Sequence, residues 1–501
     1  MANLLHIYKK LIKDLMPENA ENSEWLNPDT DLFIANDDVD NMPSTGIAKS
    51  TLHHLQVHKT KERALNSMAV HNMEKWLREE YDRNLYKVER NLLLARILIK
   101  KAYIQEGTVI LQSTYKTVCK YQHTAYSLLY AQELCMRYAM SSRHKLFFKY
   151  ERALKFHFAN FKSETICLQA YHKAVSLVAN RWDVSNASVK KVGVLYGVVK
   201  KEKTNHATHV NMICLFRVGI YYYQIAEKYN EVIRLANQFE QYLKRNKHLL
   251  LDARMAEVAH YLVNACIALN KFSQGIKSVG QYRVYFNKGN FNLVSFMELK
   301  MQLLLHAGNY AEALHLYNEV TATSLFKKAA NFKKEIWHIY KAYIDYALRD
   351  ANMLKSFRTA KFINMFEQVS KEKQGLNFEM MVIAYIYKLV KANTEDVQNF
   401  IVYFDGYVKR NIRRKHYFRS YYFSKMLQLI FKYKFNPVKV EATGKKYLMK
   451  LKINPHPKRN DKKILEIIPY EKLWLMMIRL LKENEKKLLL LSAAPRTFDT
   501  T

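Results

Sequence analysis

The sequence predicts an all-α chain assembled from helical hairpins, and three observations carry that prediction. Gly is 12 and Pro is 8 in 501 residues, where average usage gives about 60 of the two together. Sheet-rich and nucleotide-binding architectures spend those residues on turns and phosphate loops. Apolar residues recur at three- and four-residue steps through most of the chain, the period of one helical face. A short pattern of small and aromatic residues also returns in the middle third. Hydrophobic residues make up 49% of the chain, enough apolar surface to offset the entropy of ordering it. No uncharged run approaches the roughly 18 apolar residues of a membrane span.

Three parts are expected in order. Residues 1–59 read as a short helix followed by an irregular acidic arm. Between positions 14 and 40 lie nine Asp and Glu and no Lys or Arg, punctuated by Pro17, Pro28 and Pro43. The arm suits either a basic surface of the same molecule or solvent. Residues 60–435 read as the helical array. Trp76, Leu77, Tyr81, Leu85, Val88, Leu92, Ala95, Ile99 and Ala102 define one amphipathic helix, with Gly107 in the place of a helix end. A second long helix is expected from about Thr108 to Met140, and others at 143–160 and 163–181. Asp183, Ser185 and Asn186 mark a break. Further on, helices are expected around Ile336–Ala347, at 352–369, 377–392 and 394–408, and in an aromatic-rich stretch at 413–434.

Residues 436–501 differ. They hold Pro437, Gly444, Pro455, Pro457 and Pro469. Lys446 to Ile453 alternates Tyr447, Met449, Leu451 and Ile453 with mostly polar neighbours, which predicts a strand. Lys463 to Ile468 would pair with it in a small β-hairpin. A last helix is expected from about Tyr470 to Leu491.

The middle third supplies the finest signal. Gly308, Tyr310, Ala313 and Tyr317 stand at relative positions 0, +2, +5 and +9. Asn270, Phe272, Gly275 and Val279 repeat the spacing 38 residues earlier, and Tyr229, Val232 and Ala236 repeat it more weakly. Small residues at Gly275 and Ala313 allow two antiparallel helices to cross closely. The segment from Leu303 to Val320 resembles the turn and second helix of a tetratricopeptide repeat, and the likeness spans about 220–320. It departs from the family where Lys300 and Met301 stand in place of a Leu-Gly pair, and the spacings of 43 and 38 exceed the family's 34. The resemblance implies a right-handed alpha-solenoid of irregular hairpins, with Gly275, Gly308, Tyr310, Ala313 and Tyr317 as packing residues. It also implies a scaffold that binds a protein or peptide partner.

Charge gives the second reading. Lys and Arg number 80 against 45 Asp and Glu, a net +35. Nucleic acid, acidic proteins and anionic membrane surfaces are the partners such a chain attracts, and compositional drift gives the same excess. Clustering is strongest at 401–470, with eighteen Lys and Arg against four acids. Lys409, Arg410, Arg413, Arg414, Lys415 and Arg419 are interleaved with Tyr417, Phe418, Tyr421 and Tyr422. Cations attract phosphates and flat rings stack on unpaired bases, so this cluster is the candidate contact for an anionic partner. It reads equally as a solvated face over core aromatics. A Tyr-lined surface would also suit peptides.

Chemistry is otherwise sparse. Five cysteines are scattered without a C-x-x-C pair, as expected of a reducing compartment, and the N-terminus lacks a secretory pattern, so a cytoplasmic chain is expected. His53, His54 and His58, and His206 with His209, lack the further ligands of a zinc site. No phosphate-binding glycine loop and no nucleophile elbow is present. The expectation is a non-enzymatic protein without cofactor or metal, whose oligomeric state the sequence leaves open.

Overall fold

The computed structural model describes residues 80–179, 186–286, 291–349, 374–390, 394–414, 417–454 and 466–493. The chain divides into two compact units, Met1–Arg90 and Asn91–Thr501. The short first helix, the acidic arm, the expected boundary at residue 59, Trp76 and Leu77, the helix at 352–369 and half of the second strand (463–465) lie outside the described residues, and the other half, 466–468, is not a strand.

Every regular element among the described residues is helical. The α-helices are α1 (Glu80–Lys100), α2 (Ile104–Lys120), α3 (Thr124–Met140), α4 (His144–Ala179), α5 (Asn186–Asn205), α6 (His209–Ile225) and α7 (Tyr229–Arg245). They continue with α8 (Asp252–Ala268), α9 (Phe272–Tyr282), α10 (Phe291–Ala307), α11 (Tyr310–Thr321), α12 (Ser324–Lys327) and α13 (Asn331–Leu348). The last five are α14 (Gln374–Val390), α15 (Thr394–Asn411), α16 (Phe418–Lys432), α17 (Pro437–Ile453) and α18 (Tyr470–Ala493). From α2 to α12 and from α13 onward, consecutive helices pack on one another; α13 packs on α11, and α4 with α6, α8 with α10, and α16 with α18 also meet.

One turn recurs at five connections among the described residues. Ala102, Gln122, Glu227, Asn270 and Gly308 each take a left-handed φ between the helices they join. The residue after each sits near φ −80° to −90° and opens the next helix. Its N–H reaches back five residues: Tyr103 to Leu98, His123 to Val118, Lys228 to Tyr223, Lys271 to Cys266 and Asn309 to Leu304, at 2.8–3.1 Å. These bonds satisfy carbonyls that a helix end would otherwise leave open. Four of the five left-handed positions carry side chains and not glycine, so only Gly308, and Asn270 beside it in type, advertise the turn.

The fourth residue after each opening is buried: Gly107, Ser127, Val232, Gly275 and Ala313. Gly107 is therefore a packing residue inside α2, not a helix end. A Cβ there would stand 2.6 Å from Ile99 Cγ1 and 2.9 Å from the Ala95 carbonyl. At Gly275 it would meet Leu303 Cδ2 at 2.6 Å.

Three expected elements change. The helix of 108–140 is two helices, because Gln122 turns the chain without a Gly or Pro to mark it. The helices of 143–160 and 163–181 are one, α4, of 36 residues. Asn160 and Ser163 there are held from outside the helix, by His206 Nδ1 at 2.9 Å and Glu202 at 2.7 Å, and do not break it. The strand at Lys446–Ile453 is the second half of α17. Asn436 caps that helix by accepting from Lys439 N, and Pro437 occupies its first turn. Val440, Gly444 and Leu451 form its buried face, while Met449 and Ile453 project outward. The alternation was a short stretch of helix whose outward positions happen to be apolar.

Substitution at two glycines separates packing from propensity. Gly107→Ala meets a backbone carbonyl and is expected to lower stability by about 1–3 kcal/mol, despite the better helix former. Gly197→Ala, with nothing within 4 Å of the added carbon, is expected to raise it by up to about 1 kcal/mol. Thermal or urea denaturation of the two variants checks both signs.

Candidate functional site: a basic outer face over a buried polar hub

The sequence cluster splits between surface and interior. Lys409, Arg410, Arg413 and Arg414 are exposed. Lys409 pairs with Asp405 one turn earlier, at 2.6 Å. Lys415 lies outside the described residues. Arg419 is different: it is 3% exposed and is not a contact for an outside partner. Its guanidinium donates to both carboxylate oxygens of Glu466, each at 2.8 Å, and to Glu471 at 2.9 and 2.6 Å. It also donates to the carbonyls of Leu451 and Asn454. Burial works against its charge, but the two carboxylates outweigh it and raise the pKa further.

Aromatic rings in the cluster are mostly structural. Tyr417 and Tyr422 are buried, and Tyr421 is half-buried. Arg414 and Lys450 both lie over the Tyr422 ring, 5.6 and 4.7 Å from its centre. Across the molecule, Tyr130, Tyr340, Tyr343, Tyr385, Tyr387 and Tyr470 are among the largest fully buried side chains.

Beneath Arg419 sits a carboxyl group that the sequence reading missed. Glu379 is fully buried on α14. Tyr343 and Tyr470 place their hydroxyls 2.6 Å from its two oxygens. Burial pushes its pKa up to about 8, against the opposing pull of both tyrosines. The geometry accommodates the neutral acid. Tyr343 donates to the Glu379 main-chain carbonyl at 3.0 Å, which frees its oxygen to accept the carboxyl proton. Tyr470 is in turn bonded to Ser420 at 3.2 Å. His306 contacts the Glu466 carbonyl through Nε2 at 2.6 Å, and Lys472 donates to the His306 carbonyl at 2.7 Å. Side chains and carbonyls from α10, α13, α14, α16 and α17 thus converge on α18 and the residues just before it.

Gly308 turns the chain, Tyr310 opens α11, Ala313 is buried, and the Tyr317 and Trp337 ring centres are 6.2 Å apart. His206 meets Asn160, and His209 meets Tyr242 Oη at 3.2 Å. Burial, with a smaller push from Arg254, lowers the His209 pKa to about 4. Among the described residues no group of three His, Cys, Asp or Glu is placed to hold a metal ion, and no helix is long and apolar enough to cross a membrane.

No protein-family model, curated protein or solved structure matches this chain.

The Glu379 carboxyl makes stability depend on pH with a definite sign. Folding raises its proton affinity, so the folded chain holds an extra proton between about pH 4.5 and pH 8. Stability therefore falls as pH rises through that window and levels off above it. The buried imidazoles of His123 and His209, both lowered to about 4, titrate below pH 6.5. Between about pH 6.5 and 8 the wild type is expected to lose roughly 2 kcal/mol relative to Glu379→Gln. Parallel denaturation curves at the two pH values read that difference.

Proposed function

We propose that this chain is a non-enzymatic, tetratricopeptide-like scaffold that binds a partner protein through its helical surface. One observation supports this most. Helix α4 carries Phe148, Phe156, Phe158 and Phe161 exposed, with Phe156 at 62% and Phe158 at 58%. Met136 and Met140 are exposed at the end of α3, which packs on α4. At 100° per residue Phe158 and Phe161 lie within about 60° of each other on α4, and exposed apolar side chains of this size on one side of a helix mark a surface that another protein covers. The turn shared by five connections and the small buried residues Gly107, Ser127, Gly275 and Ala313 support the repeat reading. The polar hub supports a structural role over a catalytic one, because Glu379 and Arg419 have their hydrogen-bonding capacity taken up inside the protein. A base-stacking surface at 401–470 has less support, since Tyr417 and Tyr422 are buried and Arg419 is internal.

Affinity purification of the full chain from its native cell, with and without nuclease, tests the reading. The expected result is a stoichiometric protein that survives nuclease and is lost with Phe158→Ser/Phe161→Ser, while the melting temperature is unchanged. Recovery that disappears with nuclease, or that the double variant leaves intact, would contradict it.

A further inference from the structure

Helix α17 has an outward face that its neighbours leave uncovered, and its residues are ordered. The buried side of the helix is set by Val440, Gly444 and Leu451, with Gly444 pressed close to Trp474, where an added Cβ would lie 2.7 Å from Cζ2. Opposite that side, at 100° per residue, Val438, Met449 and Ile453 fall in one narrow stripe. They are 67%, 58% and 72% exposed. Lys445 and Lys452 flank the stripe on one side. Lys439, Lys446 and Lys450 flank it on the other, and all five lysines are exposed. Arg414 extends the second row, since it shares the Tyr422 ring with Lys450.

This charge is not compensated as it is elsewhere. Among α6–α13, cations reach acids on other helices, as in Arg217–Glu257 at 2.8 Å, Arg283–Glu319 at 2.6 Å and Lys333–Glu298 at 2.6 Å. Residues 206–350 carry a net +7, whereas the much shorter stretch 401–454 carries +12. Among the described residues, none of the five lysines on α17 makes an ion pair with Asp or Glu; the acid on the helix, Glu441, pairs with Lys482 of α18.

From this arrangement we infer that α17 is a membrane-surface element: it lies along an anionic bilayer with Val438, Met449 and Ile453 in the headgroup–acyl boundary and the two lysine rows against lipid phosphates and carboxylates. A helix with an apolar stripe between cationic flanks fits that interface on both counts. The stripe is what chooses the partner. A nucleic acid would use the lysines, but it offers nothing to three exposed aliphatic side chains that present no ring for stacking. The inference is independent of the α4 surface, which lies elsewhere in the chain.

Vesicle flotation of the full chain tests it, using phosphatidylcholine vesicles with and without about one third phosphatidylserine. Binding is expected only with phosphatidylserine and should weaken with salt. Two variants dissect it, each confined to exposed positions and checked for unchanged helical content and melting temperature. Lys445→Gln/Lys446→Gln/Lys450→Gln/Lys452→Gln should reduce partitioning at least about tenfold. Met449→Asn/Ile453→Asn should also reduce it several-fold, while leaving the salt dependence in place. The inference fails if the wild type ignores anionic vesicles, or if the Met449/Ile453 variant binds them as well as the wild type. It fails equally if a single-stranded oligonucleotide or an acidic peptide occupies the lysines and proves indifferent to the Met449/Ile453 change.

Discussion

Arg419 carries a full positive charge into the interior, and an interior charge must be met by opposite charge and hydrogen bonds or it costs several kcal/mol. Here the compensation comes from far along the chain. Glu466 and Glu471 stand 47 and 52 residues away from it. Meeting that demand fixes the segment before α18 and the first turn of α18 itself. Glu466 also receives the Tyr470 N–H at 2.6 Å, so one carboxylate both neutralises the guanidinium and starts the helix. Once α18 is placed, Leu473, Trp474, Met477, Ile478 and Leu481 are buried among the preceding helices, each worth about 1.5–3 kcal/mol in apolar burial.

This gives the array two kinds of order. At the α1–α2, α2–α3, α6–α7, α8–α9 and α10–α11 connections it uses a local rule: left-handed residue, back-reaching N–H, buried residue four places on. In the last four of these hairpins the two helices pack on one another, much as repeats contact their neighbours. The C-terminal part adds long-range closure. Asn484 donates to the Leu389 carbonyl at 3.2 Å, 95 residues away, and His306 reaches Glu466 across 160. The last helix is thus tied to helices with which it shares no loop.

The sequence made the local rule legible only where its residues were unusual. Gly308 and Asn270 are the two of the five left-handed positions whose residue types favour that conformation, and the hairpins they join were the ones whose spacing stood out. Gln122 and Ala102 turn the chain just as sharply with ordinary side chains, so the helices they separate blurred together or shifted their ends. In α17 the reverse happened: an outward stripe of Met449 and Ile453 imitated the alternation of a strand. The hub left one trace. Glu379 is the sole acid in FEMMVIAYIY, a run in which every residue is buried, and an acid so placed requires buried partners. Those partners, Tyr343 and Tyr470, lie 36 and 91 residues away, and no local pattern announces them. Arg419 was misplaced for the same reason: its neighbours in sequence are surface cations, and its own carboxylates are remote.

Native-state hydrogen exchange, on the wild type and on Arg419→Leu, tests most directly whether the buried charge integrates α18 with the array. The account predicts that amides of Leu473–Leu481 exchange together with those of α10 and α14 in the wild type. In the variant, α18 should open on its own and exchange much faster, with α6–α9 unchanged. If α18 already exchanges separately in the wild type, far more readily than α14, or if loss of the guanidinium leaves its protection intact, the closure does not depend on Arg419 and the account is wrong.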